Sequence, residues 1–102
     1  MARPWRCRAI GAHQVELHTG EYAHGSAGEL DRIALAARRA EDIGLEVAAG
    51  HGLTQDNVPA LMRVPQIVEL NIGHALVSDA VFLGLAEAVR AFRAAIDRGA
   101  RP

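Results

Sequence analysis

The stretch IVELNIGH, residues 67–74, places Val68, Leu70 and Ile72 on one side of an extended backbone and Ile67, Glu69 and Asn71 on the other, because successive side chains of a strand point to opposite faces. HQVELHTG (13–20) alternates in the same way, with Val15 and Leu17 opposite Glu16 and His18, and Gly20 closes it. LEVAAG (45–50) reads as the strand between them. A parallel sheet buried under helices on both faces reads as nearly continuous apolar runs. Glu16, Glu69 and Asn71 break that pattern. One face is therefore expected to be oily and covered by helices, and the other to look into a barrel interior near its active end. The competing arrangement is a small three-stranded protein with one sheet face in water.

Helical patterns separate and follow these strands. In SAGELDRIALAARRAEDIG (26–44), Leu30, Ile33, Ala37, Ala40 and Ile43 form one apolar stripe, Gly44 stops it, and Ser26 and Glu29 have the spacing of a capping box. DNVPALMRV (56–64) reads as a short helix capped by Asp56 or Asn57 with Pro59 in its first turn. SDAVFLGLAEAVRAFRAAIDRG (78–99) reads as one long helix capped by Asp79, with Val81, Leu85, Val89, Phe92 and Ile96 on one face and Gly99 as its stop. Gly11 reads as the stop of an earlier helix. The fold class is α/β, with parallel strands covered by helices.

Composition narrows the functions available. The chain has 102 residues, half of them apolar, which suits one core and one domain spanning 1–102. Its net charge of −1 and scattered basic residues offer no stripe for a phosphate backbone, so nucleic acid is not an expected partner. All eleven basic residues are arginine, which excludes a lysine Schiff base and a P-loop lysine; phosphate would have to be held by backbone. A single cysteine, Cys7, excludes an internal disulfide and fits a reducing cytosol. The start MARPWRCRAI has no apolar signal core, and no apolar run approaches the length of a membrane helix, so a soluble, cytoplasmic protein without a membrane partner is expected.

The strand ends carry the functional signal. ELHTG, AGHGL and IGHAL each place a histidine, namely His18, His51 and His74, at or just beyond the carboxyl end of a strand, where parallel α/β folds put their ligands. His51 lies between Gly50 and Gly52, a setting that packing alone does not call for but that a ligand approaching bare backbone does. NIGHALVSDA (71–80) suits a backbone phosphate site, with Gly73 allowing close approach and Ala75–Ser78 forming an extra turn ahead of Asp79.

VELHTGEYA (15–23), GLEVAAGHGLTQDNV (44–58) and ELNIGHALVSDAVFLGLAEAVR (69–90) together resemble pyridoxine 5′-phosphate synthase, a (β/α)8-barrel family, over residues 9–97. The resemblance implies condensation of 1-deoxy-D-xylulose 5-phosphate with 3-amino-2-oxopropyl phosphate to pyridoxine 5′-phosphate, phosphate and water in vitamin B6 biosynthesis, with no metal or organic cofactor. By motif, His51 matches the proton donor and Glu16 the carboxylate that stabilises the transition state. Gly52, and Gly73 with His74, match positions that bind the aminoketone phosphate.

The resemblance also implies that the chain corresponds to the C-terminal three βα units of a TIM barrel. The first five of its eight strands, the two proton acceptors and most of the pentulose phosphate site belong to the preceding part. Residues 1–8, MARPWRCR, match nothing in the family. Ala48 stands where the family usually has asparagine, and TQDNV replaces a more usual tyrosine-histidine pair. Three units alone leave two sheet edges and a polar interior open to water, so inactivity in isolation and a homo-oligomer or a complementary barrel half are expected. The rival readings are a noncatalytic assembly remnant and a metal-dependent TIM-barrel hydrolase using His18, His51 and His74 as ligands.

Overall fold

The computed structural model describes residues 11–100. Strands β1 (Gln14–His18), β2 (Glu46–Gly50) and β3 (Ile67–Asn71) form one open parallel sheet in the order β1-β2-β3. Between and after them come α1 (Gly20–Ala23), α2 (Glu29–Asp42), α3 (Val58–Leu61), α4 (His74–Leu83) and α5 (Leu85–Ala100). Parallel neighbours joined through helices make this an α/β arc of the kind from which a TIM barrel is closed. The expectations for Cys7, for the start 1–8 and for a helix before Gly11 concern residues outside those described.

The register explains which face does what. Leu17 pairs with Ala49, and Ala49 with Leu70, and this row turns toward the helices. Leu17, Val47 and Ala49 are buried there against Ile33, Ala37 and Ala40 of α2 and Phe92 and Ala95 of α5. Full burial of a side chain such as Leu17 or Ile33 contributes about 1.5–3 kcal/mol. The next row, Glu16, Ala48 and Glu69, turns the other way, and Glu16, His18, Glu69 and Asn71 are exposed. The oily and polar faces stand as the alternation predicts along β1 and from Glu69 onward, but Ile67, expected on the polar face, pairs with Val47 and is buried in the core; the α2 stripe is buried or packed against the core along its length.

Several local expectations are corrected. Val68 belongs to neither ladder face: the register steps from Val47↔Ile67 to Ala48↔Glu69, leaving Val68 unpaired and 68% exposed at a bulge. Ser26 does not cap α2, which begins at Glu29 behind a left-handed Gly28; the Ser26 hydroxyl instead bonds the Glu21 carboxylate at 3.1 Å. The short helix expected over 56–64 is confined to Val58–Leu61 with Pro59 in its first turn; Asn57 stands at its N-cap position but makes no side-chain capping bond, its amide oxygen accepting the Thr54 N–H instead.

The long helix of 78–99 is two helices that begin earlier, at His74. Gly84, at φ 82° and ψ 151°, sits in a region almost closed to other residues and separates them. The break puts Val81 on a different helix from Phe92, while Leu85 and Val89 share α5 with Phe92; all three of Val81, Leu85 and Val89 stand exposed rather than buried with it. Asp79 lies within α4, continuous with Ala75–Ser78, and caps nothing. Gly99 lies inside α5, where it serves close packing: a Cβ there would approach Met62 Cβ to 2.7 Å and crowd the Pro59 carbonyl.

Candidate active site

The carboxyl ends of the three strands bring most of the expected residues to one rim. His51, Gly52, Asn71, Gly73 and His74 line a single cleft of about 470 Å3 together with Leu53, Thr54 and Ala75. Glu16 lies on the polar sheet face beside that cleft, over the backbone of Gly50. A Cβ on Gly50 would overlap the Glu16 carboxylate and come within 3.0 Å of Asn71 Cβ, so the small residue is what admits the carboxylate. Ala48, between Glu16 and Glu69 in the register, keeps this part of the face free of bulk.

His51 has a φ of 98°, the one positive value at a non-glycine among the described residues. Such a backbone costs an L-residue about 1–2 kcal/mol and persists where its surroundings over-determine it. Gly52 continues the turn at φ 73°, and a Cβ on it would stand 2.7 Å from Ala23 Cβ. The flanking glycines thus have separate duties: Gly50 makes room for Glu16, and Gly52 lets the left-handed turn run on against α1. The turn lays the His51 ring on that of His18, with centroids 4.3 Å apart and planes inclined by 26°. His18 accepts the Gly20 N–H at Nδ1 across 3.2 Å, which puts the proton of its neutral form at Nε2.

Polar groups read from the sequence as helix caps, Asn57 and Asp79, or not as site residues at all, Thr19, Tyr22 and Gln55, hold the loop. The Thr19 hydroxyl donates to the His51 carbonyl at 2.6 Å. Asn57 accepts the Thr54 N–H at 2.8 Å and donates its amide to the Gly52 carbonyl at 3.1 Å. Tyr22 donates its hydroxyl to the Asn57 carbonyl, and burial raises its pKa above 10.0 against the smaller lowering effects of a Leu61 backbone hydrogen bond and the Arg63 charge. Gln55, within the divergent TQDNV segment, donates to the Asp79 carboxylate at 2.8 Å and ties the loop to α4. A hydroxyl wedged between a histidine and a glycine at a strand end was the available signal for Thr19; the others become visible once the loops meet.

α4 starts directly after Gly73 with no side-chain cap, so its first-turn N–H groups have no intrahelical partner, and its first residues, His74 and Ala75, line the cleft with Gly73. A helix start of this kind favours an anion. The three strand-end histidines do not assemble as a ligand set: His18 and His51 stack, and among the described residues no group of three or more His, Cys, Asp or Glu side chains is placed to hold a metal ion.

Residues 5–98 match the family model described as pyridoxal phosphate biosynthesis protein PdxJ. The chain belongs to the PdxJ family. It is 48% identical over 99 residues to the pyridoxine 5′-phosphate synthase of Rhodospirillum rubrum, covering 92% of this chain and 40% of that protein. To the synthase of Thioalkalivibrio sulfidiphilus it is 52% identical over 97 residues, covering 90% of this chain and 39% of the relative. The chain thus spans about 40% of the length of these curated PdxJ relatives and corresponds to their C-terminal part. No helix among the described residues is long and apolar enough to cross a membrane.

Proposed function

We propose that this chain carries the proton-donor side of a pyridoxine 5′-phosphate synthase site, for the condensation of 1-deoxy-D-xylulose 5-phosphate with 3-amino-2-oxopropyl phosphate in vitamin B6 biosynthesis. The observation that supports it most directly is the left-handed His51, set beside Gly73 and His74 in one cleft with Glu16 on the adjoining sheet face. In this reading the His51 imidazole gives a proton to a departing oxygen of the condensing substrates, the general-acid step that releases water or phosphate. The Glu16 carboxylate stabilises positive charge that develops as the aminoketone nitrogen is built into the ring. Gly52, Gly73 and His74 receive the aminoketone phosphate at the start of α4, with backbone N–H groups in place of a lysine. No step assigned to these residues calls on a metal or organic cofactor. The remaining acid-base groups and most of the pentulose phosphate site come from the rest of the barrel, supplied by a complementary half, and the working assembly is an oligomer in the cytoplasm.

Joining this chain to the N-terminal three fifths of the Rhodospirillum rubrum relative and following pyridoxine 5′-phosphate formation tests the proposal. His51→Asn and Glu16→Gln are each expected to lower kcat by about 100-fold or more while the barrel stays folded. A reconstituted barrel that turns over equally well with His51→Asn would remove the reading.

A further inference from the structure

We propose that Thr19 is the positioning residue of His51, its hydroxyl holding the peptide that lays the imidazole on His18 at the edge of the cleft. Thr19 is fully buried at the end of β1, and it addresses two consecutive carbonyls of the neighbouring chain segment. Its backbone N–H donates to the Gly50 carbonyl at 2.9 Å, and its side-chain hydroxyl to the His51 carbonyl at 2.6 Å. Consecutive carbonyls of an extended strand point in opposite directions. Both can face Thr19 only if the chain leaves the extended conformation between them, and the residue between them is His51, which does so with a φ of 98°. The strained residue thus lies between the two carbonyls that Thr19 holds.

Nothing else among the described residues hydrogen-bonds the His51 carbonyl. The ring of bonds among Thr54, Asn57 and Gly52 secures the loop only after the histidine. The bond from Thr19 joins residues 32 apart, so it is not a product of local turn chemistry. A methyl in place of the hydroxyl would keep the packing of Thr19 and leave the carbonyl without its partner. The peptide would then be free to relax toward negative φ, carrying the ring off His18. The catalytic consequence rests on the role proposed for His51, whereas the positioning does not.

The test compares Thr19→Val, which keeps the shape and loses the hydroxyl, with Thr19→Ser, which keeps the hydroxyl. In the full chain, the ring current of His18 shifts the carbon-bound proton resonances of the His51 imidazole. Thr19→Val is expected to move them to the positions of an unstacked histidine while the methyl signals of Leu17 and Val47 stay in place, and Thr19→Ser is expected to leave both unchanged. In the reconstituted barrel, Thr19→Val should lower kcat by about tenfold or more with a smaller change in KM for the aminoketone phosphate, and Thr19→Ser should restore it. Unchanged His51 signals in Thr19→Val overturn the proposal. So does a displacement of the His51 signals in a folded Thr19→Ser, an outcome that needs no folded Thr19→Val. If the His51 signals move as expected but turnover is indifferent to His51→Asn, the positioning stands and the proposed function falls.

Discussion

Tyr22 links the short helix after β1 to the loop that follows His51, and its ionisation is coupled to the fold. Its hydroxyl donates to the Asn57 carbonyl, and burial holds its pKa above the ordinary 10.0. The folded chain then binds the phenolic proton more tightly than the unfolded one. The stabilisation is complete below the unfolded value and is lost as pH rises through the higher folded value. Thermal unfolding followed by circular dichroism is expected to show a falling melting temperature from about pH 10 upward. Tyr22→Phe should flatten that fall and cost about 1 kcal/mol at neutral pH, since the Asn57 carbonyl loses its donor. The chain has one tyrosine, so ultraviolet absorbance follows its ionisation without overlap from a second phenol. The neighbouring positions show how much of this was legible. His51 between two glycines was conspicuous in the sequence, but its left-handed backbone was not, because φ depends on which hydrogen bonds its carbonyl finds 32 residues away.

The helices and strands divide in a comparable way. α2 could be read because its stripe of Ile33, Ala37 and Ala40 is periodic and buried on one side. The break at Gly84 could not, because the hydrophobic period runs on through it and glycine is tolerated within helical patterns. Gly99 departs from its local pattern for the opposite reason. It has the look of a helix stop, yet α5 continues through it so that Pro59 and Met62 can approach. Gly99→Ala is expected to push α5 away from α3 and to lower the free energy of unfolding by about 1–3 kcal/mol, read from urea denaturation. An unchanged midpoint would mean that the contact yields without cost. The bulge at Val68 follows the same logic, since a period of two continues in the sequence where the pairing in space skips a residue.

Across the whole molecule, the sheet is an open arc. β2 is hydrogen-bonded on both sides, while among the described residues β1 and β3 each pair on one side only. Val77, Val81, Phe82 and Leu85 stand in solvent on α4 and at the start of α5, with Phe82 86% exposed. Such edges and apolar surface are a liability for an isolated unit. Amide exchange is expected to be slowest at Val47, Ala48 and Ala49 and distinctly faster in β1 and β3. Adding the N-terminal part of a PdxJ relative should slow exchange in both outer strands, because a closed barrel has no edges. Exchange in β1 and β3 that ignores the added part would show that the barrel does not close around this chain.

What could be read from the residues alone was the set of features that repeat locally: the alternation that separates Leu17 from Glu16, the helical stripe of α2, and the recurrence of histidine at three strand ends. Each has a short period, and side-chain direction follows from backbone geometry within a few residues. The hand of the backbone at His51, its stacking on His18, the clamp by Thr19 and the bulge at Val68 were set by contacts between segments far apart in the chain. Those depend on where the carbonyls of one strand end meet the donors of the next, and no local pattern encodes that meeting.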